Sequence, residues 1–447
     1  MNRTNKGYIV LFLLILLSEL GYGQKAYQFT IEQAQAFALD SSYKSRLSDF
    51  DVKESEYIVK ETMAIGLPQI SGDATYNNNI KLPVQLVPAE YFGGQEGDFA
   101  EMSFGTKHTI SANLSASQLI FDGSYIVGLQ GARVYNQLVE QKDKATDFEV
   151  KKNTADAYYM AVVAVENHRM LGDNYSEVDK QLIETRALYE NGFVEEQNVE
   201  QLELNLGKIE IAVENAKRQV EISRNMLKYQ LGISLVDSVY LKDDLLSLID
   251  KARIDIIGRY TFDIKNNNQY KVANAWVEVR DAQVRLEKMS YVPSMYLFFN
   301  QNWSSYNDEF DYFSEGAQWF DATLLGVKLS VPIFSSFQRS AKLQKAKVVS
   351  EKAIVQRQQL EAGLKLDLSV ANSNFNQALA SFDISTRNVD VATKIRNKTN
   401  RKFQEGMSTS FEVTQAEAQL IDDQFNYIQS ALQLFEAKTR IDELLNN

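Results

Sequence analysis

The sequence predicts an α+β membrane protein, in which a unit of long coiled-coil α-helices and two transmembrane β-strands occurs twice. Three observations predict this fold class. The five prolines are confined to two short windows, which leaves long stretches free to be helical. Inside those windows apolar and small polar residues alternate with a period of two, as in a strand between lipid and water. The order of predicted elements is the same in both halves of the chain.

The amino terminus has the layout of a secretory signal peptide. Arg3 and Lys6 precede an apolar run over residues 8–17, and Gly21 and Gly23 supply the small residues that a signal peptidase reads. The run is shorter than the roughly 20 residues that span a bilayer, which disfavours the alternative of an uncleaved anchor. We therefore expect residues 1–23 to be removed on export, so that the mature chain starts at Gln24.

The composition excludes several classes of site. The 447 residues include no Cys and two His, so disulfides, thiolate metal sites and iron–sulfur clusters are excluded. Asp and Glu outnumber Lys and Arg by 59 to 47, and a net charge of −12 would repel a nucleic-acid backbone. The sequence has no phosphate-binding loop, dinucleotide fingerprint or nucleophile motif. We expect no enzyme activity and no cofactor.

The two non-helical windows cover residues 68–121 and 293–334, and each is predicted to hold a pair of strands. The alternation is clearest in the second strand of each pair, and about 9–11 residues are enough for a strand to cross a bilayer. In the second strand of the first window the apolar positions are Ile110, Ala112, Leu114, Ala116 and Ile120. In the second strand of the other window they are Leu325, Val327, Leu329, Val331 and Ile333. The alternation also fits a soluble hairpin with one buried face.

The remaining sequence shows apolar residues spaced by three and four, which is typical of a coiled coil. In the last helix this stripe consists of Phe411, Thr414, Ala418, Ile421, Phe425, Ile428, Leu432 and Phe435. In an earlier helix it consists of Val199, Leu202, Leu206, Ile209, Val213, Ala216, Val220, Ser223 and Leu227. We expect both stripes to be buried between helices.

Matching junctions indicate an internal duplication. Gly192 and Gly406 lie 214 positions apart, each between two helical stretches, and Phe121 and Phe334 lie 213 positions apart, each at the end of a strand window. Two independent junctions at nearly one offset make coincidence improbable.

Four segments carry a resemblance to a known family. An aromatic-x-x-Gly turn followed by a helix start occurs from Phe403 to Ala418 and, less completely, from Tyr189 to Leu204. The strand windows are entered through Gly66-Leu67-Pro68 and Tyr291-Val292-Pro293. In these features the chain resembles the TolC family of outer-membrane channel proteins, over essentially its whole mature length.

The resemblance implies a homotrimer with a shared 12-stranded barrel and a periplasmic tunnel of 12 helices. It divides this chain into a first repeat over residues 24–232, an equatorial insertion over 233–264 and a second repeat over 265–447. The tips of the helix hairpins then lie near residues 190–198 and 404–412. Independently, four strands alone would leave open edges that lipid cannot satisfy.

The resemblance also implies a gate at the periplasmic tips. Matching turn to turn puts Glu412 at an outer acidic position of the constriction and Gln415 at an inner one, where the family often has a second acid. Asn198 is the counterpart in the first repeat. Three copies of Glu412 around an axis would repel one another, attract cations and raise the carboxylate pKa. The alternative is that Glu412 is a solvated acid at a helix start, where the helix dipole favours it.

The resemblance to the TolC family also implies that these tips receive the periplasmic adaptor. The turn residues here are Asn191, Gly192 and Phe193 in the first repeat and Glu405, Gly406 and Met407 in the second.

The resemblance implies an outer-membrane exit duct for efflux of small molecules or for type I protein secretion. Its expected partners are two further copies of the chain, outer-membrane lipid, a periplasmic adaptor and an inner-membrane pump of the RND or ABC type. The alternative is a secreted periplasmic coiled-coil adaptor or scaffold protein, which would carry a lipoyl-like or β-barrel adaptor domain that the sequence does not reveal.

Overall fold

The computed structural model describes residues 25–257 and 263–445. The predicted signal peptide and its cleavage site lie outside the described residues, as does part of the predicted equatorial insertion. The chain divides into two compact units. The helical unit comprises Met1–Val52, Glu140–Asn274 and Gln356–Asn447, and the sheet unit comprises Lys53–Val139 and Ala275–Val355.

Helices and strands follow one another in the order expected for an α+β chain. The elements up to the first hairpin are β1 (Ala26–Phe29), α1 (Ile31–Ser41), α2 (Tyr43–Ala64), β2 (Gln69–Asn78), β3 (Val84–Pro88), β4 (Phe99–Ser103), β5 (His108–Asp122), α3 (Gly123–Glu190) and α4 (Glu196–Leu231). The remaining elements are β6 (Ser238–Leu241), α5 (Leu245–Ile257), α6 (Asn268–Met289), β7 (Ser294–Asn307), β8 (Phe320–Ser330), α7 (Gln338–Gln404) and α8 (Ser410–Leu445).

The strands differ from expectation in two details. The loop after β2 contains an additional antiparallel hairpin, β3 with β4, which its turn-rich composition did not indicate. Strand β8 ends at Ser330, so Val331 and Ile333 do not continue it. Pro332 lacks the N–H that a ladder needs, which accounts for the earlier end.

The sheet unit is built around one antiparallel sheet in the order β2-β5-β7-β8. Strands β5 and β7 occupy the centre, and they pair over the whole length of β7 with one register shift between Leu119 and Phe121. Strands β2 and β8 form the two edges, and every residue of β2 is exposed. Each edge strand is paired on one side only within the chain.

Strand register divides this sheet into an apolar face and a polar face. Leu114 pairs with Gly72 and Gln301, and Val327 pairs with Leu297, which places Leu114 and Val327 on one face. Ser115 lies on the other face. There the Ser71 and Ser115 hydroxyls are 2.7 Å apart, and Asn113 Nδ2 donates to Asp73 Oδ1 at 3.2 Å. The division agrees with the alternation in the sequence.

The helical unit is held by a large apolar core. Tyr158, Leu231, Phe375 and Phe435 are almost completely buried in it, and the rings of Tyr159 and Phe435 stack with centroids 4.0 Å apart. Burying one such side chain contributes roughly 1.5–3 kcal/mol. No helix among residues 25–257 and 263–445 is both long enough and apolar enough to cross a membrane.

Helix α4 buries the stripe that its sequence predicts, whereas α8 buries only part of its expected stripe. Phe411 and Phe425 of the expected α8 stripe are 65% and 56% exposed. The buried heptad positions of α8 are instead Val413, Leu420, Tyr427, Leu434 and Ile441. Ile428 and Phe435 of the expected stripe are also buried, so the expectation for α8 holds only in part: the helix carries two apolar stripes, and within one chain the other one is the more fully buried.

A partly buried polar junction ties the start of the helical unit to the segment around Asp243. The Tyr158 hydroxyl donates to Phe29 O at 2.9 Å and lies 2.8 Å from Asp243 Oδ2. The same carboxylate oxygen accepts the Ile31 N–H at 2.8 Å, at the first turn of α1. Asp243 thereby fixes α1 and the parallel β1–β6 pair to the long helix α3.

Gly232 ends α4 where a side chain has no room. Its φ is +68°, in the left-handed region that glycine adopts without strain, and its N–H bonds Tyr229 O at 3.1 Å. A Cβ added here would lie 2.3 Å from Ser41 O, at the end of α1. The close approach of α1 and α4 therefore depends on glycine.

We expect Gly232→Ala to lower the free energy of unfolding by at least about 1–2 kcal/mol, because it adds left-handed strain to a backbone clash. Gly172→Ala is the matched control, since a Cβ at that helical site meets nothing within 4 Å. It should be neutral or slightly stabilising. Thermal unfolding of the purified protein measures both, and equal melting temperatures for the two variants would contradict this account.

Candidate functional site at the helix-hairpin turns

The two helix hairpins of the helical unit end in turns with the same backbone geometry. Gly192 has φ +75° and Gly406 has φ +73°. In each turn the glycine N–H bonds the carbonyl three residues back and the next N–H bonds the carbonyl five residues back, at 2.7–3.0 Å. This is the Schellman arrangement, in which a left-handed residue closes a helix. Both glycines face open space, so the backbone conformation alone requires them.

The structure brings the two hairpins together in one bundle. The amide of Gln404 at the end of α7 donates to Glu184 Oε2 on α3 at 2.8 Å. The Ser410 hydroxyl at the start of α8 donates to Gln201 Oε1 on α4 at 2.7 Å. A small apolar cluster lies between these contacts and consists of Leu182, Val199, Leu202 and Val413, with Leu206 and Phe403 against it.

The predicted docking residues are exposed at the turns. Phe193 and Met407 are 76% and 66% exposed, which is unusual for large apolar side chains. The Asn191 amide donates to Ala187 O at 2.7 Å and helps to close α3. Glu405 is also exposed. A cavity of about 510 Å³ opens beside the first turn between α3 and α7, and Phe193 and Phe403 line it.

The predicted gate residue Glu412 caps its own helix. Its Oε2 accepts the Thr409 N–H at 3.0 Å and also the Ser408 hydroxyl, while the Glu412 N–H donates to Thr409 Oγ1 at 3.3 Å. This reciprocal pair is a capping box. The Ser408 hydroxyl, followed by the Thr409 N–H, holds the pKa of Glu412 below its ordinary value. Within one chain the shift is opposite to the one expected for three converging carboxylates.

The other two predicted gate residues have less distinctive surroundings. Gln415 is exposed on the next turn of α8. Asn198 is half-buried in the first turn of α4, and its N–H donates to Glu195 O at 3.0 Å.

Sequence reasoning missed two parts of this site. The capping role of Glu412 was visible as Thr409-x-x-Glu412, the pattern of a capping box. A fully buried carboxylate, Glu417, lies five residues further along α8. No sequence signal marks it, because an acid on a helix is ordinarily solvated. The described residues contain no group of three or more His, Asp or Glu placed to hold a metal ion.

Comparisons with known proteins give a family match over part of the chain and a fold over nearly all of it. The model of the outer membrane efflux protein family matches residues 264–447. No curated protein matches the chain significantly. Among solved structures, the CmeC outer membrane channel of Campylobacter jejuni has a TM-score of 0.69 at 14% identity, over 93% of this chain and 85% of that one.

Two other solved structures share the fold to a similar extent. The outer membrane protein VceC of Vibrio cholerae has a TM-score of 0.67 at 15% identity and covers 93% of this chain and 96% of its own. The open state of the MtrE outer membrane channel of Neisseria gonorrhoeae has a TM-score of 0.67 at 15% identity, with 93% and 89% covered. The family match over residues 264–447 and the shared fold over nearly the whole chain lead to one conclusion: this chain is similar to the outer membrane efflux protein family in its second part and has the fold of these solved outer-membrane proteins.

Proposed function

We propose that this protein is the outer-membrane exit duct of an efflux or type I secretion system, and that three copies form the duct. The four-stranded sheet with one apolar face, one polar face and two open edges is the observation that carries the proposal. In hydrocarbon every backbone N–H and C=O must be paired within protein. Three copies joined edge to edge, β8 of one to β2 of the next, would close a barrel of 12 strands.

Exposed apolar stripes on the helices support the same assembly. Phe411 and Phe425 of α8 lie two heptads apart, and Leu204 and Ile211 of α4 lie one heptad apart; each is at least half exposed. Such stripes are typical of coiled-coil contacts with further helices. Neighbouring copies would cover them in a tunnel of 12 helices and gain roughly 1.5–3 kcal/mol for each fully buried side chain.

In this proposal the hairpin turns form the periplasmic end of the duct. Asn191, Gly192, Phe193, Glu405, Gly406 and Met407 would receive the adaptor, which links the duct to an inner-membrane pump of the RND or ABC type. Glu412, with Gln415 and Asn198, would form the constriction. The alternative of a periplasmic adaptor or scaffold is not favoured, because the family match and the three solved relatives are outer-membrane efflux and channel proteins.

Cell fractionation tests the proposal directly. We expect the mature protein in the outer membrane as a trimer. Recovery from the soluble periplasm in another oligomeric state would overturn the duct.

The apolar face of the sheet should respond to charge differently from the polar face. Leu114→Arg and Val327→Arg should impair assembly by roughly 2–4 kcal/mol each if they lie near the bilayer midplane, whereas Ser115→Arg, on the polar face, should be tolerated better. The yield of assembled trimer in outer membranes measures the effect. If all three variants assembled equally well, the assignment of the apolar face to lipid would be wrong.

The proposed constriction should select cations through Glu412. We expect Glu412→Gln to weaken cation selectivity and block by divalent cations in planar bilayers, because the charge is lost while an amide oxygen remains to accept from the Thr409 N–H. Glu210→Gln, at an exposed site on α4, is the control and should change neither property. Unchanged selectivity and block in Glu412→Gln would show that the residue only caps its helix.

A further inference from the structure

A buried ion pair lies on α8 beyond the proposed gate. Glu417 is 0% exposed, although Glu412, five residues earlier, lies in solvent. Its only cation in the described chain is Arg396 on α7, whose side chain is 13% exposed and whose Nη1 lies 3.6 Å from Glu417 Oε1. The same nitrogen lies 3.8 Å from Glu177 Oε1 on α3. The Arg396 guanidinium is therefore the counter-ion of two carboxylates, Glu417 on α8 and Glu177 on α3.

The buried carboxylate is poorly satisfied in this packing. Among the described residues, neither Oε1 nor Oε2 of Glu417 has a hydrogen-bond partner, and neither has Nη1 of Arg396. The amides of Gln181 and Asn400 adjoin the carboxylate closely enough to favour its charged form, but neither reaches hydrogen-bond geometry. A buried charge without such bonds is costly, because its attraction to one partner does not replace its lost hydration.

The elements around Glu417 offer no further positive charge in the described residues. Helix α7 presents Arg396 and α3 presents Glu177. Helix α4 packs on α8, and all its buried residues are uncharged. Burial raises the pKa of Glu417, Arg396 opposes this shift, and Glu177 adds to it. The neutral carboxylic acid fits the site better, since its O–H could donate to the Gln181 or Asn400 oxygen.

The apolar core at this end of the bundle is too small to compensate for the free energy that a buried charge costs. Four buried side chains form the cluster next to the turns, compared with more than thirty in the main core of the same unit. The packing of α8 near the turns should therefore be sensitive to the ionisation of one buried acid.

We propose that Glu417 is a positioning residue for the gate, a clasp that holds the start of α8 against α3 and α7 when protonated and loosens it when ionised. The inference rests on the proposed function, because it assigns movement of α8 to the constriction that Glu412 would form.

The direction of the pH effect follows from linkage. When α8 separates and Glu417 becomes hydrated, its pKa should return towards the ordinary value of 4.5, below the value in the packed state. Above pH 4.5 the packed state then binds more protons than the separated state. Acid therefore favours packing. Rising pH favours separation until the pH exceeds the raised pKa that Glu417 has in the packed state. One proton per chain changes the ratio of separated to packed bundles by at most about tenfold per pH unit.

Distance measurements between spin labels test the clasp without relying on transport. The chain has no cysteine, so Lys180→Cys on α3 and Ala418→Cys on α8, both at exposed positions, would carry the only labels. Labelled chains diluted into unlabelled ones give at most one labelled chain per assembly. We expect one short distance below pH 4.5 and a growing population of longer distances as the pH rises above that value. With Glu417→Gln the short distance should persist at every pH.

Two variants keep the test decisive. Asp422→Asn removes an exposed carboxylate from the same helix and should preserve the pH response of the parent. Arg396→Gln removes the counter-charge of Glu417, so this variant should favour the long distance at pH 7. In acid it should regain the short distance. It tests the proposal even if Glu417→Gln does not assemble. A pH response that survives in Glu417→Gln, or no shift in Arg396→Gln, would overturn the clasp. A protein with pH-independent distances that still conducts refutes the clasp alone, whereas a protein that never conducts refutes the duct.

Discussion

The unpaired edges of the four-stranded sheet impose the constraint on which the rest of the structure depends. Within one chain, β2 and β8 each use only half of their backbone hydrogen-bonding capacity. Water can satisfy such edges, but hydrocarbon cannot. Because β5 and β7 pair at the centre, the two edges belong to different strands, β2 and β8. Two dissimilar edges can join head to tail around an axis but need not pair with themselves.

The helical unit distributes its stability unequally. Its main core gathers large aromatic and aliphatic side chains around Tyr158, Phe375 and Phe435, and Asp243 adds a well-bonded, half-buried carboxylate there. Towards the turns the apolar cluster shrinks and buried polar groups take its place. Local opening costs least where few apolar contacts must be broken. The end of the bundle that carries the turns is therefore the end with the least resistance to rearrangement.

Sequence patterns predicted the elements better than they predicted what each element packs against. The faces of β5 and β8 and the glycine turns could be predicted, because a period of two and a left-handed residue are local properties. The buried face of α8 could not, because Phe411 and Val413 begin two stripes with the same heptad spacing, and only the tertiary partner decides which is covered. Glu417 was missed for a related reason, since its burial depends on three helices that are distant in sequence.

Both turns owe their shape to a single glycine backbone conformation and to hydrogen bonds between main-chain atoms. The side chain that follows each glycine, Phe193 or Met407, is exposed and takes no part in forming the turn, whereas the Asn191 amide before Gly192 helps to close α3. The exposed residues that follow the glycines are thus free of any role in forming the turns. Phe193 and Met407 can therefore be replaced over evolutionary time, or be exchanged between the two turns by an engineer, while the helices keep their register and length.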